Sequence, residues 1–163
     1  MSDILQVASL VIALATPSPA TQDTLSVESA INIVRPIYKA LTAASSADVR
    51  RDLESGTRED WQNCGGSDVC DDREATISRW SARIAKVPDF RFEIRDVVTM
   101  GNRIVVRGEA QGTPTGSFLG VAGSDHAFRI MTIDIHDVED GRVFRTYHVE
   151  DWSRAARQLR GAE

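Results

Sequence analysis

Few side chains in this sequence can transfer protons near neutral pH, and two of its three histidines lie close together. His136 and His148 stand on either side of a Glu-Asp-Gly segment, and Asp134 precedes His136 by two positions. Histidine can act as acid and as base because its unperturbed pKa is about 6.5. A nearby carboxylate would orient the imidazole and stabilise its charged form. These residues favour proton transfer if they meet on one face.

Whether Asp134 and His148 meet depends on the register of the hairpin that carries them. A two-residue turn at Asp140-Gly141 would place Asp134 opposite Tyr147 and turn His148 to the other face. A three-residue loop would place Asp134 opposite Thr146, diagonal to His148 on the same face. The residues alone permit both registers.

The two cysteines flank a short, glycine-containing loop. A disulfide between Cys64 and Cys70 would indicate an oxidising compartment. Two free thiols are the alternative. Without further cysteines or a Cys-x-x-Cys spacing, the pair does not resemble a zinc or redox site.

The elements that must position these residues change type at Pro88. Upstream, apolar residues at helical spacing predict helices over about residues 27–44, 45–53 and 71–87. Downstream, a period of two predicts strands from about residue 90, a long loop over 112–123, a hairpin over about 127–149 and then a short helix. Helices followed by a mostly antiparallel meander, without βαβ alternation, predict one α+β domain.

Three residues are expected to shape the helices. Pro36 should kink the first helix or mark an irregular start. Asp71 should cap the third helix, and Asp151 should cap the last one.

The composition is that of a soluble, acidic domain. The 24 acidic and 19 basic residues give a net charge of −5, which argues against nucleic-acid binding. The apolar run from Ile4 to Ala15 is too short to span a bilayer but suits a signal-peptide core, although Asp3 stands where such peptides are basic. Residues 1–22 are therefore expected to be a signal peptide or a disordered extension, with the domain over 23–163. A periplasmic or secreted location is slightly favoured over a cytoplasmic one.

Three motifs follow one another in the C-terminal half: Gly112-Thr113-Pro114-Thr115-Gly116 with Phe118 and Gly120, then Glu139-Asp140-Gly141-Arg142-Val143, then Asp151 to Gln158-Leu159. In this order they resemble the SnoaL-like polyketide cyclase branch of the NTF2-like superfamily over about residues 105–160. The resemblance implies an α+β cone. A curved antiparallel sheet would wrap around the N-terminal helices and enclose one apolar pocket.

The resemblance also implies an acid/base pair on the last hairpin. The family's cyclases carry a His on its first strand and an Asp on its return strand. Alignment on Asp140-Gly141 places these at Asp134 and His148, with the two residue types exchanged. His148 would then be the acid or base and Asp134 its orienting partner, on one face. His136 on that face would complete a metal-binding triad, but the family is metal-free, so neither metal nor cofactor is expected.

A pocket of this kind would take a small apolar or aromatic ligand. The candidates to line it are Trp61, Trp80, Phe118, His136 and Phe144, although aromatic residues at such positions are more often core. The outer sheet face should carry an apolar stripe of Ile133, Ile135, Val143, Tyr147 and Val149, which predicts a homodimer.

The predicted function is cofactor-independent acid/base catalysis, an aldol-type cyclisation or isomerisation of a small apolar carbonyl compound. The alternative is a small-molecule binding protein without catalysis. A purely structural dimer module is a third reading.

Overall fold

Four helices and six strands occupy residues 24–123 and 125–162, the part of the chain that the computed structural model describes. The elements are α1 (Val27–Leu41), α2 (Ser46–Gly56), β1 (Thr57–Cys64), β2 (Cys70–Asp72), α3 (Arg73–Lys86), β3 (Arg91–Met100), β4 (Arg103–Gly112), β5 (Phe128–Glu139), β6 (Arg142–Glu150) and α4 (Trp152–Leu159). The α+β prediction is confirmed. The apolar run taken as a signal peptide or extension lies outside the described residues.

Side-chain caps fix where the helices begin. Ser45 accepts a hydrogen bond from the Asp48 amide at the start of α2, and Asp151 caps α4 as the sequence predicts. The prediction for α3 was wrong by one residue, because the cap is Asp72. Asp71 instead pairs with Asn63 in the β1–β2 ladder, so the helix starts only after the strand has ended.

Helix α1 runs through Pro36 without interruption. A proline inside a helix removes one backbone hydrogen bond and crowds the preceding turn. At this proline α2 approaches so closely that a Cβ atom on Gly56 would lie 2.7 Å from the Pro36 Cβ. A glycine is therefore required where the two helices touch.

The six strands form one sheet in the order β2-β1-β6-β5-β4-β3. Every neighbouring pair is antiparallel except β1 and β6, which run parallel. The sequence analysis assigned no strand to residues 57–72. The polar run of β1 lacks a clean alternation, and only the long-range pairing with β6 makes it a strand.

Besides an irregular stretch of β1 between Thr57 and Gln62, two one-residue bulges bend the sheet around the helices. One lies on β3 between Ile94 and Asp96, and the other lies on β6 between Val143 and Arg145. An extra residue in one strand kinks it and increases its twist. The result is a curved, unclosed sheet around α1 to α3, in agreement with the expected cone.

The bulge on β6 also corrects the expected outer face. Val143 is fully buried in the core, whereas Tyr147 and Val149 are exposed. The extra residue switches the side on which alternate positions point, so Val143 and Thr146 both face inward.

The concave face of the sheet is apolar at both ends and polar in the middle of β5. Ile104 and Val106 on β4 pack with Val34 and Ile37 of α1 in the main core. The inward residues of central β5 are Thr132, Asp134 and His136. Burying polar side chains in a sheet is costly unless they find partners, so this stretch marks a candidate site. Among the described residues, no helix is both long and apolar enough to cross a bilayer.

Candidate functional site

The hairpin places Asp134 directly opposite His148 on the concave face. Asp140 and Gly141 form a two-residue turn with φ of 51° and 73°, and Glu139 pairs with Arg142. Neither of the two expected registers is correct. The turn has two residues, but the bulge then shifts the pairing by one and brings the two side chains to the same face.

A cavity of about 380 Å³ lies between the helices and this face. Asp134, His136 and His148 line it, together with the predicted aromatic residues Trp61, Trp80 and Phe118. Phe144 does not line it, contrary to expectation. As the extra residue of the bulge, Phe144 leaves the inward alternation, and the Arg145 guanidinium lies 6.0 Å from its ring centre.

Asp134 is a buried carboxyl on the wall of the cavity. The Tyr38 hydroxyl donates to its Oδ2 over 3.0 Å, while Oδ1 has no hydrogen-bond partner among the described residues. Burial raises the pKa of Asp134 to about 6, against the opposing effects of the Tyr38 hydrogen bond and the charge of His148. The carboxyl can therefore gain or lose a proton near neutral pH.

A chain of hydrogen bonds runs from the core to Asp134. Trp61 Nε1 donates to Thr146 Oγ1, which lies 3.0 Å from His136 Nδ1, and His136 Nε2 lies 3.0 Å from the Tyr38 hydroxyl. Burial lowers the pKa of His136 to about 3, so the ring is neutral. When Asp134 is ionised, the single hydroxyl hydrogen of Tyr38 is donated to it, so His136 Nε2–H donates to Tyr38 and Thr146 donates to Nδ1 of the neutral ring.

His148 is held by a neighbour that the sequence analysis overlooked. Its Nδ1 lies 3.0 Å from Glu150 Oε2, and its Nε2 is buried with no hydrogen-bond partner in the part of the chain that the structure describes. Burial opposes its charge, but Glu150 and Asp134 outweigh that effect and raise the pKa of His148. The expected orienting role of Asp134 thus falls to Glu150. Side chains two positions apart on a strand lie on the same face, so the sequence could have indicated that Glu150 lies beside His148.

The loop after β1 covers the buried nitrogen of His148. A Cβ atom on Gly65 would lie 3.3 Å from Nε2, so the backbone passes close over the ring. A disulfide between Cys64 and Cys70 closes this loop, with the two Cα atoms 4.0 Å apart.

A second loop shapes the opposite side of the cavity. Phe118 and Val121 exchange backbone hydrogen bonds of 3.0 and 2.9 Å across a tight turn, which brings Leu119 to the cavity with φ of 51°. The Phe118 ring stacks on Phe128 at 5.9 Å. Thr115 anchors the loop by donating its amide to the Lys86 carbonyl at the end of α3.

Within residues 24–123 and 125–162, no group of three or more His, Cys, Asp or Glu side chains is arranged to hold a metal ion. The histidines of the concave face instead bond to Tyr38, Thr146 and Glu150.

The sequence matches one protein-family model, and the fold resembles several solved structures. A family model described as SnoaL-like polyketide cyclase matches residues 37–159. A SnoaL-like polyketide cyclase from Agrobacterium tumefaciens superposes with a TM-score of 0.65 at 18% identity, covering 80% of this chain and 97% of that one. TsrD from Streptomyces laurentii gives 0.70 at 22% identity, covering 83% and 97%. An epoxide hydrolase of Mycobacterium tuberculosis described as LEH-like gives 0.61 at 12%, covering 83% and 92%. No curated protein matches in sequence.

Proposed function

The chain belongs to the SnoaL-like polyketide cyclase family, and from that membership we propose that it catalyses proton transfer on a small apolar carbonyl compound without a cofactor. The expected reaction is an aldol-type ring closure or an isomerisation. The observation that carries the proposal is Asp134, a carboxyl with one oxygen free of hydrogen bonds on the wall of a largely apolar cavity.

Asp134 is the acid/base group of the proposed reaction. Its carboxylate removes a proton from the carbon next to a substrate carbonyl, and the resulting enolate attacks a second carbonyl carbon. A carbon–carbon bond forms, and the electron pair of that carbonyl moves to its oxygen. The protonated Asp134 then returns its proton to the alkoxide, so that the enzyme ends in its starting state.

His148 assists as a positive charge opposite Asp134. Glu150 raises its pKa, which keeps a fraction of the imidazolium at neutral pH. A cation beside the reacting atoms stabilises the enolate and alkoxide charge, and the apolar wall strengthens that effect by excluding water. His148 Nε2 is covered, so the proposal assigns the proton transfers to Asp134.

Proton abstraction can be tested without the natural substrate. Acetonaphthone in deuterated buffer exchanges its methyl protons when a base removes them, and NMR follows the loss of signal. We expect the wild-type chain to accelerate exchange. Asp134→Asn should reduce the acceleration on the order of a hundredfold or more, and His148→Gln should reduce it less. Asp96→Asn, an exposed aspartate on β3, serves as the matched control.

The same assay has a defined pH dependence. The rate should rise as Asp134 ionises, with a midpoint near its pKa of about 6, and fall above the raised pKa of His148. Exchange at the buffer rate in the wild-type chain would exclude the catalytic proposal.

A binding protein without catalysis is the second candidate. It is favoured by the surroundings of His148, because Glu150 lies within hydrogen-bond distance of Nδ1 and the backbone at Gly65 covers Nε2. In that case naphthalene-sized ligands should raise the melting temperature without any exchange.

We also propose that two chains associate through the outer face of the sheet. Ile133 pairs with Val149, and Ile135 pairs with Tyr147, so that these side chains form one continuous surface. Val149 is 63% exposed and Tyr147 36%. Covering such a surface removes apolar area from water.

A further inference from the structure

Three cations of α3 line the cavity of a protein whose net charge is −5. Arg79, Arg83 and Lys86 recur at intervals of four and three residues, which places them along one side of the helix. The acidic residues that line the same cavity, Asp134 and Glu150, lie on the sheet. The cavity is therefore polarised, with a basic helical wall and an acid/base group on the sheet.

Arg83 differs from the other two cations because it is half-buried and has no counter-charge. Arg79 pairs with Asp71 over 3.1 Å, and Lys86 is exposed to solvent. The Arg83 guanidinium lies 4.6 Å from the centre of the Phe90 ring, and its Nε and Nη2 are buried with no hydrogen-bond partner within residues 24–123 and 125–162. Burial lowers the pKa of Arg83, with no carboxylate among the described residues to offset it.

An arginine in this state is poised to bind an anion. Removing a cation from water without pairing it is costly, and a partner within the cavity would recover that cost. The guanidinium is the side chain best suited to a carboxylate, because its planar donors match the two oxygens. The Phe90 ring beneath it adds a favourable contact and fixes the plane.

We propose that the ligand is an organic monoanion and that Arg83 binds its carboxylate. The apolar body fills the cavity between the aromatic side chains, and the carbonyl lies towards Asp134; this last part rests on the proposed function. A single negative charge is favoured because one of the three cations is both half-buried and unpaired.

Naphthoate and naphthamide test this proposal, since the two probes share a ring system and differ in charge. By calorimetry at neutral pH and low salt, we expect the wild-type chain to bind naphthoate about tenfold more tightly. Arg83→Gln should abolish this preference while leaving naphthamide affinity within about twofold, and Arg83→Lys should retain part of it. Arg79→Gln should change the preference for naphthoate less than Arg83→Gln does, because Asp71 already neutralises the charge of Arg79.

An NMR measurement on the wild-type chain gives a readout that needs no folded variant. The Arg83 Nε–H resonance should shift on adding naphthoate and stay in place on adding naphthamide. If both probes bind with equal affinity, or if the preference for naphthoate persists in Arg83→Gln, the anion site is wrong. Neither result affects the proposed function. Failure of both probes to bind overturns the cavity as a ligand site, and with it the proposed function. Proton exchange on neutral acetonaphthone without any anion preference leaves the catalytic proposal standing.

Discussion

At the scale of single residues, the site depends on Tyr38, whose hydroxyl joins two polar groups of β5. Asp134 and His136 could be placed on one face from the sequence, but Tyr38 could not be connected to them, because it lies 96 residues before Asp134. An isolated tyrosine on an amphipathic helix is indistinguishable from a core residue in sequence. Its role becomes visible only when α1 packs across the concave face.

Tyr38→Phe tests how the hydroxyl tunes Asp134. The Tyr38 hydrogen bond lowers the carboxyl pKa against the larger effect of burial. Phenylalanine removes that bond, so the midpoint of the Asp134 Cγ resonance in an NMR titration should move above about 6. Tyr147→Phe alters an exposed tyrosine on the other face and should leave the midpoint unchanged.

The pH dependence of the free energy of unfolding should also reflect the higher pKa of Asp134 in Tyr38→Phe. Asp134 titrates at about 6 in the folded chain and near 3.8 when unperturbed. Because the folded value is higher, protonation favours folding: the contribution is complete below about pH 4 and is lost as the pH rises through 6. In Tyr38→Phe the loss should continue to higher pH, as urea unfolding between pH 4 and 8 can measure. A loss that ends at the same pH as in the wild type would contradict the assigned hydrogen bond.

At the scale of secondary structure, the hairpin has features that local sequence patterns predict and one feature that they do not. The strands of the hairpin and the cap at Asp151 follow from local patterns and were predicted, whereas the Asp140-Gly141 turn was one of two loops that the sequence left open. The bulge at Phe144 does not follow from local patterns, because the extra residue is decided by packing of Val143 and Thr146 against the core. One unpredictable residue thus determines which side chains face the cavity.

The β1 strand and its loop depend on the disulfide at the sheet edge. Closing a loop of this length should stabilise the fold by about 2 kcal/mol, since it restricts the unfolded chain. We expect reductant to lower the free energy of unfolding by that amount in urea melts. The double variant Cys64→Ser, Cys70→Ser should have the lower free energy of unfolding even without reductant, and reductant should not change it. Equal stability with and without reductant would mean that the cross-link contributes nothing.

At the scale of the whole molecule, the cone and its family were predictable from ordered motifs, and the polarity of the cavity was not. The turn motif connects β5 to β6, and the ending motif forms α4 with its cap at Asp151. The basic residues of α3 cannot be recognised as part of a cavity from the sequence, because basic residues along one side of a helix are most often exposed to solvent. Only the folded chain shows that Arg83 lies over the Phe90 ring on the wall of the cavity.

The proposed dimer is tested by placing a charge on the outer face. Val149→Asp should weaken association on the order of a hundredfold or more, because a lone carboxylate would be buried between two chains. Sedimentation velocity should then show a monomer where the wild type sediments as a dimer. Val69→Asp is the matched control, since Val69 is 70% exposed in the loop before β2. A wild-type monomer at all concentrations would rule out this surface as an interface.

The tryptophans give the cavity a built-in optical probe. The chain has three, and Trp61, Trp80 and Trp152 all line the same space. The Trp61 and Trp80 rings meet edge to face with centres 6.5 Å apart, and Trp152 packs at 5.8 Å from Phe128. Tryptophan fluorescence therefore arises entirely from the cavity wall. Emission colour, quenching and energy transfer to a chromophoric ligand can follow occupancy in real time, without any label or substitution.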